Sequence, residues 1–197
     1  MGSGGYCTPY VEFSPFNGGY IGGGMTCYFC FSKDTKVTVL SGSNQCKKLI
    51  SDIKEDDLVL TFNGTDKIKT KVIEFKKNEG IFEFYIVKVR DEKLNTKNIA
   101  VTGNHMMIIF GRDLNDIKLK YACELKIGDL LRTNDGIFEI YEIERKMMYD
   151  SYQVKTENGT VLANDILVST IYASENNNRK ALTKVLDSAK IPIEIKN

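Results

Sequence analysis

The chain reads as an all-β protein, and three observations carry that expectation. Short stretches alternating apolar and polar residues run through most of its 197 residues. Turn-forming residues punctuate those stretches, and one strand-and-turn unit occurs twice. Apolar residues at helical spacing gather only near the C-terminus.

Residues 1–29 form a leader in which glycines cluster at Gly4-Gly5, Gly18-Gly19 and Gly22-Gly23-Gly24, with aromatics scattered between them. Glycine at that density loses much backbone entropy on ordering, so a flexible flank without regular structure is expected. From Thr35 the character changes. Val37, Val39 and Leu40 alternate with polar residues, and Ser41-Gly42-Ser43-Asn44 marks a hairpin turn. Further strands are expected at 58–62, 70–75, 82–89, 98–101, 106–110, 137–143, 151–155 and 161–168. Asn63-Gly64, Asn134-Asp135-Gly136 and Asn158-Gly159 supply turns between them.

The repeat aligns residues 52–64 with 124–136. It keeps Lys54 with Lys126, Asp57 with Asp129, Leu58 with Leu130, Thr61 with Thr133 and Gly64 with Gly136. Each copy sets an acidic turn before a strand that runs into a second turn, which points to a duplicated half-domain. Beyond residue 173 the tail changes again. Leu182, Val185, Leu186 and Ala189 fall at helical spacing within 179–190, predicting a short amphipathic helix that packs on the β-domain. The expected division is therefore a leader at 1–29, one domain at 30–173 and a helical tail at 174–197.

Formal net charge is +1 and the charges are interspersed, which argues against a nucleic-acid or membrane-surface role. No run approaches the roughly 20 apolar residues that span a bilayer. The N-terminus lacks the basic and apolar regions of a signal peptide, so an intracellular chain is expected in preference to a secreted one. A myristoyl signal is weakened by Tyr6, where Ser or Thr is wanted. The five cysteines, Cys7, Cys27, Cys30, Cys46 and Cys123, are odd in number and irregular in spacing, unlike a disulfide framework. Cys27 and Cys30 form a C-x-x-C, yet further zinc ligands are lacking and no strand-to-helix turn suits a redox motif. No metal or cofactor is expected, and the chain is expected to be a monomer.

Cysteine is well suited to attack an amide near neutral pH, because a useful thiolate fraction combines with high nucleophilicity. Histidine suits protonation of the departing amine. His105 is the only histidine in the chain. Taken alone, each residue reads first as structural, a buried cysteine or a satisfied histidine.

Two stretches change that balance. Cys30-Phe31-Ser32-Lys33-Asp34-Thr35-Lys36-Val37 and Thr102-Gly103-Asn104-His105 together resemble the Hint superfamily. That superfamily comprises inteins, bacterial intein-like domains and the autoprocessing domain of Hedgehog proteins. The resemblance implies a horseshoe-shaped β-fold with a pseudo-two-fold axis. It also implies that Cys30 attacks the carbonyl of Phe29, so the substrate is the chain's own N-terminal flank. His105 would protonate the amide nitrogen of Cys30 and Thr102 would orient that peptide. Met148-Tyr149-Asp150-Ser151-Tyr152-Gln153-Val154 resembles the family's Tyr-Asp-Leu-x-Val strand, which assigns Asp150 the carboxylate that tunes the cysteine. An exposed strand-end aspartate is the plainer reading of the same residue.

The chain departs from a splicing intein at its end. Ser169-Thr170 stands where His-Asn is needed, and Asn164 is expected within a strand, so splicing by asparagine cyclisation is not expected. Gly159-Thr160 and Ile166–Ala173 are closer to the Hedgehog end. The segment Glu74-Phe75-Lys76-Lys77-Asn78-Glu79, however, lacks the aspartate that activates the sterol there. A third relative, the Hint domain beside von Willebrand factor A modules, often has a glycine run before its Cys-Phe. Water, a thiol or an amine is then the expected acceptor of the acyl group. Cys27 could gate the reaction as a redox partner of Cys30. The alternative is a Hint-like fold kept as a silent structural or interaction domain.

Overall fold

The computed structural model describes residues 8–13, 20–26, 30–42, 44–111, 116–171, 183, 185, 186 and 189. Within the leader, β1 (Thr8–Phe13) and β2 (Tyr20–Thr26) pair antiparallel as a separate sheet, where the glycines predicted no regular structure. The register sets Tyr10, Val11 and Glu12 opposite Gly24, Gly23 and Gly22. Glycine's penalty of about 0.5–1 kcal/mol per residue falls on one strand, while Tyr10, Val11 and Phe13 give the other strong β-propensity.

The remaining strands form one eleven-stranded sheet. In chain order they are β3 (Lys36–Ser41), β4 (Asn44–Leu49), β5 (Leu58–Asn63), β6 (Asp66–Arg90), β7 (Thr96–Thr102) and β8 (Met106–Phe110). There follow β9 (Ile117–Tyr121), β10 (Leu130–Thr133), β11 (Gly136–Thr156), β12 (Thr160–Ala163) and β13 (Ile166–Ser169). The sheet returns on itself, because β10 pairs with β11 and also touches β13 and β8. Strands make up most of the described residues and no long helix interrupts them, the all-β class that the sequence predicts.

Two strands are far longer than expected. β6 has 25 residues and β11 has 21, and they pair from Arg90 opposite Glu139 to Val72 opposite Thr156. The alternation at 70–75 and 82–89 marks only the ends of β6, and 137–143 and 151–155 mark only the ends of β11. Between them the ribbon has no continuous buried face: Lys76, Lys77 and Glu79 are exposed, as are residues 144–147. An exposed ribbon leaves no periodic signal in its sequence. β4 and β9 escaped notice for a related reason. They are edge strands carrying Lys47, Lys48, Lys118 and Lys120, charges that protect an open edge from further pairing.

The run 161–168 is two strands, not one. Asn164 and Asp165 turn the chain with φ of 47° and 63°, left-handed values that Asn and Asp tolerate. Asn164 thus lies in a hairpin turn, correcting its expected place inside a strand.

The duplication is repeated hydrogen bond by hydrogen bond. Asp57 accepts from Lys54 N–H at 3.0 Å, and Asp129 from Lys126 N–H at 2.9 Å. Asp56 N–H reaches Val72 O at 2.9 Å, and Gly128 N–H reaches Ile140 O at 2.8 Å. Even the entries match: Ile50 N–H binds Thr35 O at 2.7 Å, and Ala122 N–H binds His105 O at 2.8 Å. His105 therefore occupies in the second half the place of Thr35 in the first.

One core cluster joins Phe31, Val101, Tyr152, Val154 and Val161; a second joins Phe62, Ile108, Leu167 and Ile171. Val185 and Ala189 are fully buried in the second cluster and are helical, so the tail packs on the β-domain as its spacing predicts. Leu182 lies outside the described residues. Arg132 fastens this end: it donates to Gly64 O at 2.6 Å and Ala189 O at 3.1 Å, and lies 3.7 Å from the Phe62 ring centroid.

Candidate active site

Cys30 and Phe31 enter the sheet as a short inserted strand. Phe31 exchanges backbone bonds with Tyr152 at 2.8 and 3.0 Å, while Ser32 N–H binds Ala100 O at 3.1 Å. Phe31 fills the core between β7 and β11, with no exposed surface. Burying that ring positions the residue before it. Cys30 N–H donates to Thr102 Oγ1 at 3.0 Å, and Thr102 N–H donates to Cys30 O at 3.0 Å. One threonine thus grips Cys30 at its nitrogen and its carbonyl. That nitrogen belongs to the Phe29–Cys30 peptide. Phe29 and Cys27 lie outside the described residues.

The sulfur is fully buried, and desolvation pushes the Cys30 thiol up to about 12, against hydrogen bonds from Ser151, Asn78 and Gln153 and the charge of Lys76 that pull the other way. Asn78 Nδ2 lies 3.5 Å from Sγ and 3.4 Å from Ser151 Oγ. Neither Asn78 nor Ser151 was singled out from sequence.

His105 closes the turn after β7, its N–H binding Thr102 O at 2.9 Å. Gly103 belongs there because a Cβ would sit 2.8 Å from the Tyr85 ring. The imidazole packs edge-on against Phe31 with centroids 4.6 Å apart. It is fully buried, and desolvation pulls its pKa down to about 3, opposed by an interaction with the Ser169 backbone. The ring therefore stands between the N-terminal cysteine strand and the end of β13. Beside it, Asn104 is 2% exposed, and among the described residues neither of its side-chain polar atoms has a hydrogen-bond partner. A buried amide left unsatisfied costs about 1–3 kcal/mol, and such groups call for a functional explanation. The sequence holds a signal for it: a polar residue beside the sole histidine.

Cys30, Thr102 and His105 are thus brought together. Asp150 is not. It stands opposite Glu79 and Gly80 at a β-bulge whose extra residue lies in β6, and its own φ is 58°. Its carboxylate pairs with Lys77 at 3.2 Å and accepts from Gly80 N–H at 3.4 Å. Ser151, which pairs with Asn78 next to the bulge, supplies the side chain beside the sulfur. Counting Tyr-Asp-Leu-x-Val back from Val154 instead of forward from Tyr149 puts the acidic position at Ser151 as well. At the other end, Ser169 and Thr170 are buried, and Thr170 Oγ1 is bonded within the Thr156 pair at 2.9 Å. Among the described residues, no three His, Cys, Asp or Glu side chains gather as metal ligands would.

No protein-family model matches this sequence, and comparison with curated proteins finds no match. Solved structures do match. An intein from a hyperthermophile aligns with a TM-score of 0.62 at 14% identity, over 72% of this chain and 99% of that one. The bacterial intein-like domain from Clostridium thermocellum aligns with a TM-score of 0.56 at 20% identity, over 72% and 99%. A DnaB intein from Synechocystis gives 0.58 at 20% identity, over 73% and 99%. The all-β architecture built from two like halves is therefore the Hint fold, the one this chain shares with inteins and bacterial intein-like domains.

Proposed function

We propose that residues 30–173 are a self-processing domain that cleaves its own N-terminal flank. Cys30 Sγ adds to the Phe29 carbonyl carbon, and the Phe29–Cys30 C–N bond breaks. The thiol proton ends on the freed Cys30 amine, leaving residues 1–29 as a thioester. Water, an external thiol or an amine then takes the acyl group and returns the thiol. The observation that carries this is the two-sided grip of Thr102 on Cys30. A hydrogen bond from the scissile N–H to a hydroxyl fixes that peptide, and the same hydroxyl can donate to the nitrogen once it turns pyramidal and basic. His105 closes the turn that follows Thr102 and supplies the second proton-carrying group. Ser169-Thr170 offers no amide side chain to cyclise, so the reaction stops at cleavage and yields no ligated product.

A second reading, a Hint fold with silent chemistry, is favoured by one observation. The thiol at about 12 and the imidazole at about 3 both rest neutral near pH 7, so the ground state holds no thiolate–imidazolium pair. Intact mass of freshly made protein, with and without dithiothreitol or hydroxylamine, separates the two. Cleavage at Phe29–Cys30 that disappears in Cys30→Ala supports processing. An undivided chain over days at pH 6 to 9 leaves the silent fold.

A further inference from the structure

Among residues 76–80 of β6, where Lys76, Lys77 and Glu79 point to solvent, Asn78 alone is buried. An asparagine buried amid an exposed ribbon has to find partners, and its partners here are the nucleophile and a serine. Its two amide hydrogens have two acceptors: Cys30 Sγ at 3.5 Å and Ser151 Oγ at 3.4 Å. Ser151 is itself fully buried. Having accepted from Asn78, its hydroxyl keeps its own hydrogen for the sulfur, with which it also bonds. Two donors from facing strands of the β6–β11 ribbon thus converge on one sulfur, with Gln153 of β11 as a third hydrogen-bond partner. Ser151 stands opposite Asn78, next to the bulge that Glu79 and Gly80 make against Asp150.

Resting on the cleavage reading above, we propose that Asn78 and Ser151 form a neutral donor pair that positions the Cys30 sulfur and stabilises its thiolate, replacing a carboxylate at the acidic position of the strand pattern. A carboxylate there would take the thiol proton but repel the resulting thiolate. Neutral donors do the reverse: they leave the proton to be removed by solvent base or His105, and they hold the anion once it forms. The same bonds hold the sulfur as the leaving group when water or a thiol attacks the thioester. The charged groups around the pocket fit this division. Lys76 acts favourably on the sulfur, Asp150 and Glu79 are engaged by Lys77, and His105 lies across Phe31.

The test uses the full chain with dithiothreitol as acceptor. Loss of residues 1–29 is followed by mass from pH 6 to 9.5 in wild type, Asn78→Asp and Ser151→Ala. Ionisation of Cys30 is read independently from its S–H stretching band, followed up to pH 12.5 because burial holds the thiol at about 12, and isolated as the difference from Cys30→Ala, which needs no cleavage. Removing either donor should displace both curves to higher pH by about one unit, a roughly tenfold slower cleavage at pH 7 with the wild-type slope kept. A purely structural Asn78 would lower the melting temperature without moving the pH profile. If Asn78→Asp fails to fold, Ser151→Ala decides. Wild type that cleaves while both variants follow its profile overturns the donor pair. No cleavage anywhere, but a displaced S–H titration, overturns the cleavage reading and keeps the pair; no cleavage and no displacement ends both.

Discussion

In the cleavage we propose, Thr102 does with one side chain what an enzyme for a foreign substrate needs a binding site to do. The scissile nitrogen is covalently tethered, so orientation rests on a single hydroxyl and the neighbouring backbone bond. Thr102→Val keeps the shape and removes the hydroxyl, and single-turnover cleavage should fall about tenfold or more, while Thr102→Ser retains most of the rate. His105 makes a separate prediction about pH. Its pKa of about 3 in the folded chain lies below the ordinary 6.5, so on acidification the unfolded chain takes that proton first. The stability this contributes is complete above about pH 6.5 and is lost as pH falls toward 3. Urea midpoints between those limits should lose one proton's worth of pH dependence in His105→Leu. An unchanged acid limb would assign it to another group. Asn104 gives a third readout. Because its amide is buried without partners, Asn104→Leu should hold or raise the melting temperature while slowing cleavage. A fall in stability with an unchanged rate would make the amide structural.

At the scale of elements, two local features deliver the chemistry. The turn between β7 and β8 brings Thr102 and His105 to one place only because its second residue has no side chain. Gly103→Ala should cost about 1–3 kcal/mol, since the new methyl meets the edge of the Tyr85 ring. Denaturant melts of the double variant with Tyr85→Leu should recover most of that loss. The β-bulge between β6 and β11 is the second feature, with its extra residue in β6. Opposite it Asp150, at a left-handed φ of 58°, goes to Lys77, and Ser151, paired with Asn78, goes to the sulfur.

Across the whole molecule, the site is a meeting of distant segments. Cys30 comes from the start of the domain, Asn78 from β6, Thr102 and His105 from the end of β7, and Ser151 from β11. Most of the pairings that unite them are non-local, so the domain is expected to fold slowly for its size. The tail belongs to the same unit, because Arg132 ties Gly64 to Ala189 over the Phe62 ring. Arg132→Ala should lower stability by about 3 kcal/mol by removing two charge-assisted bonds and the ring contact. Proteolysis should then open the tail first. If the tail resists protease as in wild type, the helix is held by Val185 and Ala189 alone.

Alternation and turn residues carried the all-β class, because half-buried strands must alternate. The repeat carried the two halves, because the Lys54 and Lys126 turns need the same aspartate three residues on. The cysteine, threonine and histidine were legible as a spaced motif. Where a strand buries neither face, as in the middle of β6 and β11, sequence period is silent, and only the pairing of two distant strands decided that Asn78 reaches Cys30. Period was equally silent about the bulge, since an extra residue in β6 and a left-handed φ at Asp150 are matters of backbone and not of composition. The choice between Asp150 and Ser151 at the sulfur was therefore made by tertiary register, which a linear pattern does not encode.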